Sequence, residues 1–149
     1  MDEHTAGEPP LPDELTPDAI NAMLAVQFPG SANRCIEIGP RFAVAEYVVQ
    51  SDNLRPGGFV SGPTQFAVID SALWFVTFAA LGRIEPMALT SELSVRFLRP
   101  AQGSVVRCRA TLEAASRRSV VATAHVWCDD RVDKVTATAQ GTYAIPLPR

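Results

Sequence analysis

From Thr64 to Leu81 the chain is almost uninterrupted apolar residues, preceded by Gly62-Pro63 and followed by Gly82. Pro63 suits the first turn of a helix and Gly82 its left-handed closing residue, so the pattern predicts a helix of about 27 Å over Thr64 to Leu81. A helix with no polar stripe is buried on most sides, and in a chain of 149 residues something must wrap it. Its run from Val68 to Leu81 is too short for a comfortable membrane span, which takes about 20 predominantly apolar residues, and it contains a carboxylate. That carboxylate, Asp70, is the only charged residue between Arg55 and Arg83. An ionised group in apolar surroundings loses several kcal/mol of solvation unless it is paired, and no neighbour in sequence offers a cation. Asp70 is therefore either a structural carboxylate held by Ser, Thr or backbone N–H groups of another strand, or a catalytic group.

The rest of the chain supplies the wrapping. Thr16-Pro17-Asp18 reads as an N-cap with a proline at the first helical position, followed by apolar Ile20, Met23, Leu24 and Phe28, a short helix that runs to about Gln27 and stops at Pro29-Gly30. Residues 34–38 and 42–49 read as a hairpin around Gly39-Pro40, and residues 51–62, with Pro56-Gly57-Gly58, as a loop delivering the chain to the apolar helix. Leu89 to Leu98, Ser104 to Glu113, Ser119 to Cys128 and Val132 to Ile145 are rich in β-branched residues and read as four strands. Leu93, Val95 and Phe97 alternate with Glu92, Ser94 and Arg96, and Val106, Cys108, Ala110 and Leu112 with Arg107, Arg109 and Thr111, so one face is packed. The short connections Pro100-Ala101-Gln102-Gly103 and Asp129-Asp130 favour an antiparallel meander. The expected fold is α+β, an antiparallel sheet wrapped around a long central helix with an additional short N-terminal helix.

Composition narrows the function. The net charge of −3 argues against a nucleic-acid partner, and small molecules or protein are the expected partners. Residues 1–14 hold five acids with prolines and no basic or apolar signal pattern, which reads as a disordered or loosely docked leader before a single domain from 15 to 149, in the cytoplasm and away from membranes. Three cysteines, Cys35, Cys108 and Cys128, have no framework spacing, and reduced buried thiols are expected. Seven of the twelve arginines lie between Arg96 and Arg131, either a field for an anionic ligand or solvated strand faces.

Ser61-Gly62-Pro63 followed by Val68-Ile69-Asp70, with Asp70 nine residues after Ser61, and the strand Leu89-Thr90-Ser91-Glu92-Leu93-Ser94-Val95-Arg96-Phe97-Leu98-Arg99-Pro100-Ala101 resemble the hot-dog acyl-CoA thioesterases of the phenylacetic-acid-degradation (PaaI) type. The resemblance covers about Ala32 to Pro146. The chain departs from that family's His-Gly-Gly loop by carrying Ser61 for the histidine and Pro63 for the second glycine. The resemblance implies hydrolysis of an acyl-CoA thioester, with Asp70 as general base or nucleophile, the Gly62 N–H as oxyanion donor, Thr90 orienting the water, and Ser61 near the substrate carbonyl. Capping of the helix is the alternative for Ser61, and ordinary strand packing for Thr90. It further implies that Ser116, Arg117, Arg118 and Ser119 meet the coenzyme A part of the substrate. No other cofactor and no metal are expected.

Gly62 and Asp70 are eight residues apart, about 12 Å along a helix, whereas an oxyanion donor and an attacking group must both lie about 3 Å from the reacting carbonyl. One helix cannot supply both. Two antiparallel copies could, so the mechanism predicts a site shared across a homodimer, and the resemblance implies that such dimers pair into tetramers. The replaced loop histidine leaves open a non-catalytic acyl-CoA-binding or sensing module. A hot-dog hydratase ranks lower, because the only histidines are His4, in the leader, and His125, on a late strand. Trp74, Phe75 and Phe78 read as core before acyl pocket.

Overall fold

The computed structural model describes residues 8–148. The expected short helix is α1 (Pro17–Gln27), capped by the Thr16 hydroxyl, which accepts the Ala19 N–H at 3.1 Å, with Ile20 and Leu24 buried. The hairpin is β1 (Asn33–Gly39) and β2 (Phe42–Val48). The segment expected as a plain loop is more ordered. It holds a 3₁₀ turn (Ser51–Asn53) and a small hairpin of β3 (Leu54–Arg55) and β4 (Phe59–Val60). Its turn takes positive φ at Gly57, after Pro56, and the Gly58 N–H closes onto the Arg55 carbonyl at 3.0 Å, a type II geometry that needs glycine there.

The apolar stretch is helix α2 (Gly62–Leu81), and Gly82, at φ 71°, ends it in the left-handed conformation. By length and hydropathy α2 could cross a membrane, but 67% of its apolar window is buried in the fold. It is a core helix. Four strands follow: β5 (Leu89–Phe97), β6 (Val105–Ala115), β7 (Ser119–Cys128) and β8 (Ala137–Ala144).

Six strands form one antiparallel sheet in the order β1-β2-β6-β7-β8-β5, which packs its inner face on α2. This is the hot-dog arrangement. The expected meander needs one correction: β6, β7 and β8 are sequential neighbours, but β5 lies at the far edge beside β8, and β6 adds to β2 instead. The connection after Phe97 crosses the sheet rather than turning back. Its length allows this, since seven residues (98–104) reach roughly 23 Å and three strand spacings take roughly 14 Å. β8 is also shorter than the apolar pattern suggested, because residues 129–136 form turns.

The core comprises α2 residues such as Val68, Ile69, Ala72, Phe75 and Phe78 with the inward residues Val106, Cys108 and Ala110 of β6 and Val120, Ala122 and Ala124 of β7. Trp74 joins it, packing edge-on against Phe28 at 5.4 Å and Phe78 at 5.2 Å. The β1 edge is covered from α1, where the Asn21 amide donates to the Cys35 carbonyl and accepts its N–H, both at 2.8 Å. Of the leader, residues 1–7 lie outside the described residues; Glu8 pairs with Arg41 at 3.0 Å and Leu11 packs on the core.

Gly141 on β8 sets how closely α2 approaches the sheet. A Cβ there would collide with the Leu73 side chain and stand 2.9 Å from the Glu92 carbonyl oxygen. Gly141→Ala should therefore lower stability by about 1–3 kcal/mol, read as a reduced urea midpoint at unchanged m-value. An unchanged midpoint would refute the close contact.

All three cysteines are free and buried. Burial pushes Cys35 from 9.0 to about 12, against a smaller opposing effect of its bond to the Glu37 carbonyl, and raises Cys108 and Cys128 as well. The folded state keeps these protons after the unfolded chain has begun to lose them. The stabilising contribution of Cys35 is thus complete below about pH 9 and is lost as pH rises toward 12, and those of Cys108 and Cys128 are lost in the same direction. Urea unfolding should show a loss of about 2 kcal/mol from Cys35 between pH 7.5 and 10.5, with Cys108 and Cys128 adding losses of the same sign; equal midpoints at the two pH values would contradict it.

Candidate active site

Asp70 sits in the middle of α2 and is partly exposed rather than sealed in. No cation pairs with it among the described residues. Two hydroxyls hold it instead. Thr90 Oγ1 donates to Asp70 Oδ1 at 2.6 Å, and the Tyr143 phenol donates to the same oxygen at 2.7 Å while lying 3.0 Å from the Asp70 backbone oxygen. Oδ2 accepts no hydrogen bond among the described residues.

Thr90 reaches Asp70 because of an irregularity in β5. Simple alternation from Leu93, Val95 and Phe97 would put Thr90 with Glu92 on the outer face. The pairing with β8 shifts register between Thr90 and Glu92, leaving Ser91 as a bulge, and Thr90 becomes the direct partner of Tyr143. Directly opposed residues of an antiparallel pair point to the same face, so the bulge turns the threonine inward beside the phenol.

Tyr143 is the residue that sequence reasoning missed. It shares the inward phase of Ala137, Ala139 and Gly141 on β8 and is only 4% exposed. Burial, reinforced by the neighbouring Asp70 charge, pushes its phenol well above the ordinary value, so it is a protonated donor. A usable signal was present. A tyrosine on the buried phase of a strand needs a partner for its hydroxyl, and Asp70 is the lone charge in the apolar helix that the strand covers.

The entrance of α2 is built by the preceding hairpin. The Val60 N–H bonds the Ala101 carbonyl at 2.8 Å and the Ser61 N–H bonds the Asn53 carbonyl at 2.9 Å. Ser61 caps the helix, its hydroxyl accepting the Thr64 N–H at 3.2 Å and lying 2.8 Å from Thr64 Oγ1. The Gln65 N–H is taken by the Ser61 carbonyl at 3.2 Å, and Pro63 has none. This leaves the Gly62 N–H as the first-turn donor with no protein acceptor among the described residues, at the positive end of the helix dipole.

Gly62 and Asp70 are thus held apart on one rigid helix, as their spacing required. The Ser116–Ser119 turn joins β6 to β7, tied by the Ser116 N–H to the Ser119 carbonyl at 2.8 Å, and leaves Arg117 and Arg118 exposed. Val120, next to that turn, is paired with Tyr143, and Tyr143 with Thr90, so the turn lies two strand spacings, about 10 Å, across the sheet from Thr90. The other arginines are dispersed. Arg107 pairs with Glu46 at 3.1 Å, Arg131 with Asp129 at 3.5 Å, and Arg109 stacks over the Phe42 ring at 4.0 Å. His125 is exposed on the outer face of β7, opposite to the face that meets Asp70.

Apolar side chains are left uncovered around β5 and the start of α2: Leu89 at 65%, Phe97 at 53% and Phe66, one turn before Asp70, at 42% exposure. The sizeable clefts between α1 and β1, about 710 Å³, and across the outer face of β5, β7 and β8, about 620 Å³, do not include Asp70.

Comparison with known proteins bears on this geometry. A candidate thioesterase of Silicibacter sp. is 28% identical, with 89% of this chain and 92% of that one aligned at a TM-score of 0.77. A phenylacetic acid degradation-related candidate thioesterase of Ralstonia eutropha is 25% identical, with 83% and 89% aligned at 0.66. A point mutant of the phenylacetic acid degradation protein PaaI of Thermus thermophilus shares the fold at 21% identity, with 84% and 99% aligned at 0.64. A search of curated proteins returned no match. The family model for the thioesterase superfamily matches residues 57–135, more than half of the chain, from the hairpin before Gly62 through β7, and the chain belongs to that superfamily.

Proposed function

We propose that the protein hydrolyses acyl-CoA thioesters at a site shared by two copies of the chain. The observation that carries this is the half-site on α2, a carboxylate with one oxygen held and one open, in a chain of the thioesterase superfamily. Asp70 Oδ2 either takes a proton from a water whose oxygen attacks the thioester carbonyl carbon, or attacks that carbon itself. Negative charge then develops on the carbonyl oxygen and is met by the Gly62 N–H of the other copy. The C–S bond breaks and the thiolate leaves with a proton as coenzyme A; in the first route the added water oxygen completes the carboxylic acid, and in the second the acyl group stays on Oδ2 as a mixed anhydride until a water hydrolyses it to the acid and frees Asp70. Thr90 holds the carboxylate through Oδ1, and Ser61 acts by capping the helix that presents Gly62.

The distance limit on one helix supports a homodimer, and so does the exposed edge of β5. An edge strand flanked by Leu89, Phe97 and Phe66 is a pairing surface for a second chain. Ser116, Arg117, Arg118 and Ser119 lie along the same end of the sheet as Thr90 and Tyr143, where forked guanidinium donors suit the phosphates of coenzyme A.

A thiol-release assay across short, medium, long and aromatic acyl-CoAs tests the activity. Asp70→Asn should lower turnover at least about 100-fold while the protein stays folded and binds substrate; wild-type turnover by folded Asp70→Asn would sink the proposal. The shared site has its own test. Asp70→Asn and Gly62→Pro chains, each inactive alone, should regain about a quarter of wild-type activity when mixed, since half of the dimers then hold one intact site. No recovery on verified mixed dimers would show that the two groups do not act across chains.

A further inference from the structure

We infer that Tyr143 is a positioning residue for Asp70: together with Thr90 it occupies Oδ1 and so selects Oδ2 as the oxygen that reacts. The inference rests on the thioesterase reading above and adds a residue to it. A carboxylate oxygen offers about two lone-pair sites. Thr90 and Tyr143, donating at 2.6 and 2.7 Å, fill both on Oδ1. Oδ2 is left with its lone pairs unclaimed by the described residues.

The two donors differ in rigidity. Thr90 is exposed on an edge strand, beside the Ser91 bulge. Tyr143 is 4% exposed, on a strand paired on both sides, with β5 and with β7. Its phenol lies within hydrogen-bond distance of both the side chain and the backbone oxygen of Asp70, which ties the carboxylate's rotamer to the helix itself. Without that contact the carboxylate could rotate and exchange its two oxygens. Close contact of α2 with β8 over Gly141, two residues before Tyr143, brings the phenol within reach.

Tyr143→Phe keeps the buried ring and removes only the donor. In thiol-release kinetics it should lower kcat about 10-fold with KM changed less than about two-fold, the size expected for a hydrogen bond to a charged group. Adding Thr90→Val should lower kcat further, whereas adding Tyr143→Phe to Asp70→Asn should change nothing. A folded Tyr143→Phe enzyme with wild-type kcat overturns the inference. So does a fall in kcat that is the same in the Asp70→Asn background, since that would be a structural effect. A second readout needs no turnover. The wild-type proton NMR spectrum should hold a downfield hydroxyl resonance that vanishes in Tyr143→Phe and moves upfield in Asp70→Asn. If no acyl-CoA is hydrolysed, the thioesterase reading fails, and this resonance alone decides whether Tyr143 holds Asp70; its absence overturns the inference.

Discussion

Burial of α2 against the inner face of the sheet is the interaction on which the rest of the structure depends. It removes Val68, Ile69, Leu73, Phe75, Val76 and Phe78 from water on one helix, each worth about 1.5–3 kcal/mol of transfer free energy. The same packing constrains where a charge can sit. Asp70 lies on the side of the helix that faces β5 and β8, where the sheet reaches its edge, and it remains partly exposed. Hydroxyls replace the missing cation there. Hydrogen bonds to a charged acceptor are roughly twice as strong as neutral ones, so two of them offset much of the lost hydration.

The helix also separates the two parts of the proposed chemistry. Its first turn presents, at Gly62, an N–H with no acceptor among the described residues, because Ser61 and Pro63 dispose of the neighbouring donors, and its middle presents the carboxylate. Ser61 and Pro63, the two departures from the family's loop pattern, are thereby put to use in forming a stable helix start. The hairpin β3–β4 and the Asn53 and Ala101 carbonyls then fix that start to the body of the fold. On the proposed chemistry, groups about 12 Å apart along one rigid helix cannot meet at one carbonyl, and a two-fold axis is an economical way to bring them together.

Much of this was legible in the sequence, and the reason differs from element to element. Proline and glycine marked both ends of α2, and alternation in Val106, Cys108, Ala110 and Leu112 marked the buried phase of β6, because these signals are local. Strand order was not. Nothing in residues 98–104 distinguishes a hairpin from a crossover, and it is the pairing of β5 with β8 that settles the matter. The inward turn of Thr90 was equally hidden, since the Ser91 bulge is a property of two strands and not of one.

Asp70 shows the division most clearly. By itself the sequence determined that a lone carboxylate would ride on a buried apolar helix, eight residues after a glycine at the helix entrance, because helix geometry and apolar patterning are short-range properties. Only the tertiary structure decided that Tyr143, 73 residues later, would share Oδ1 with Thr90. Hydrogen bonds form through space between atoms that strand register and helix–sheet distance bring within about 3 Å, and neither quantity is written in the local sequence.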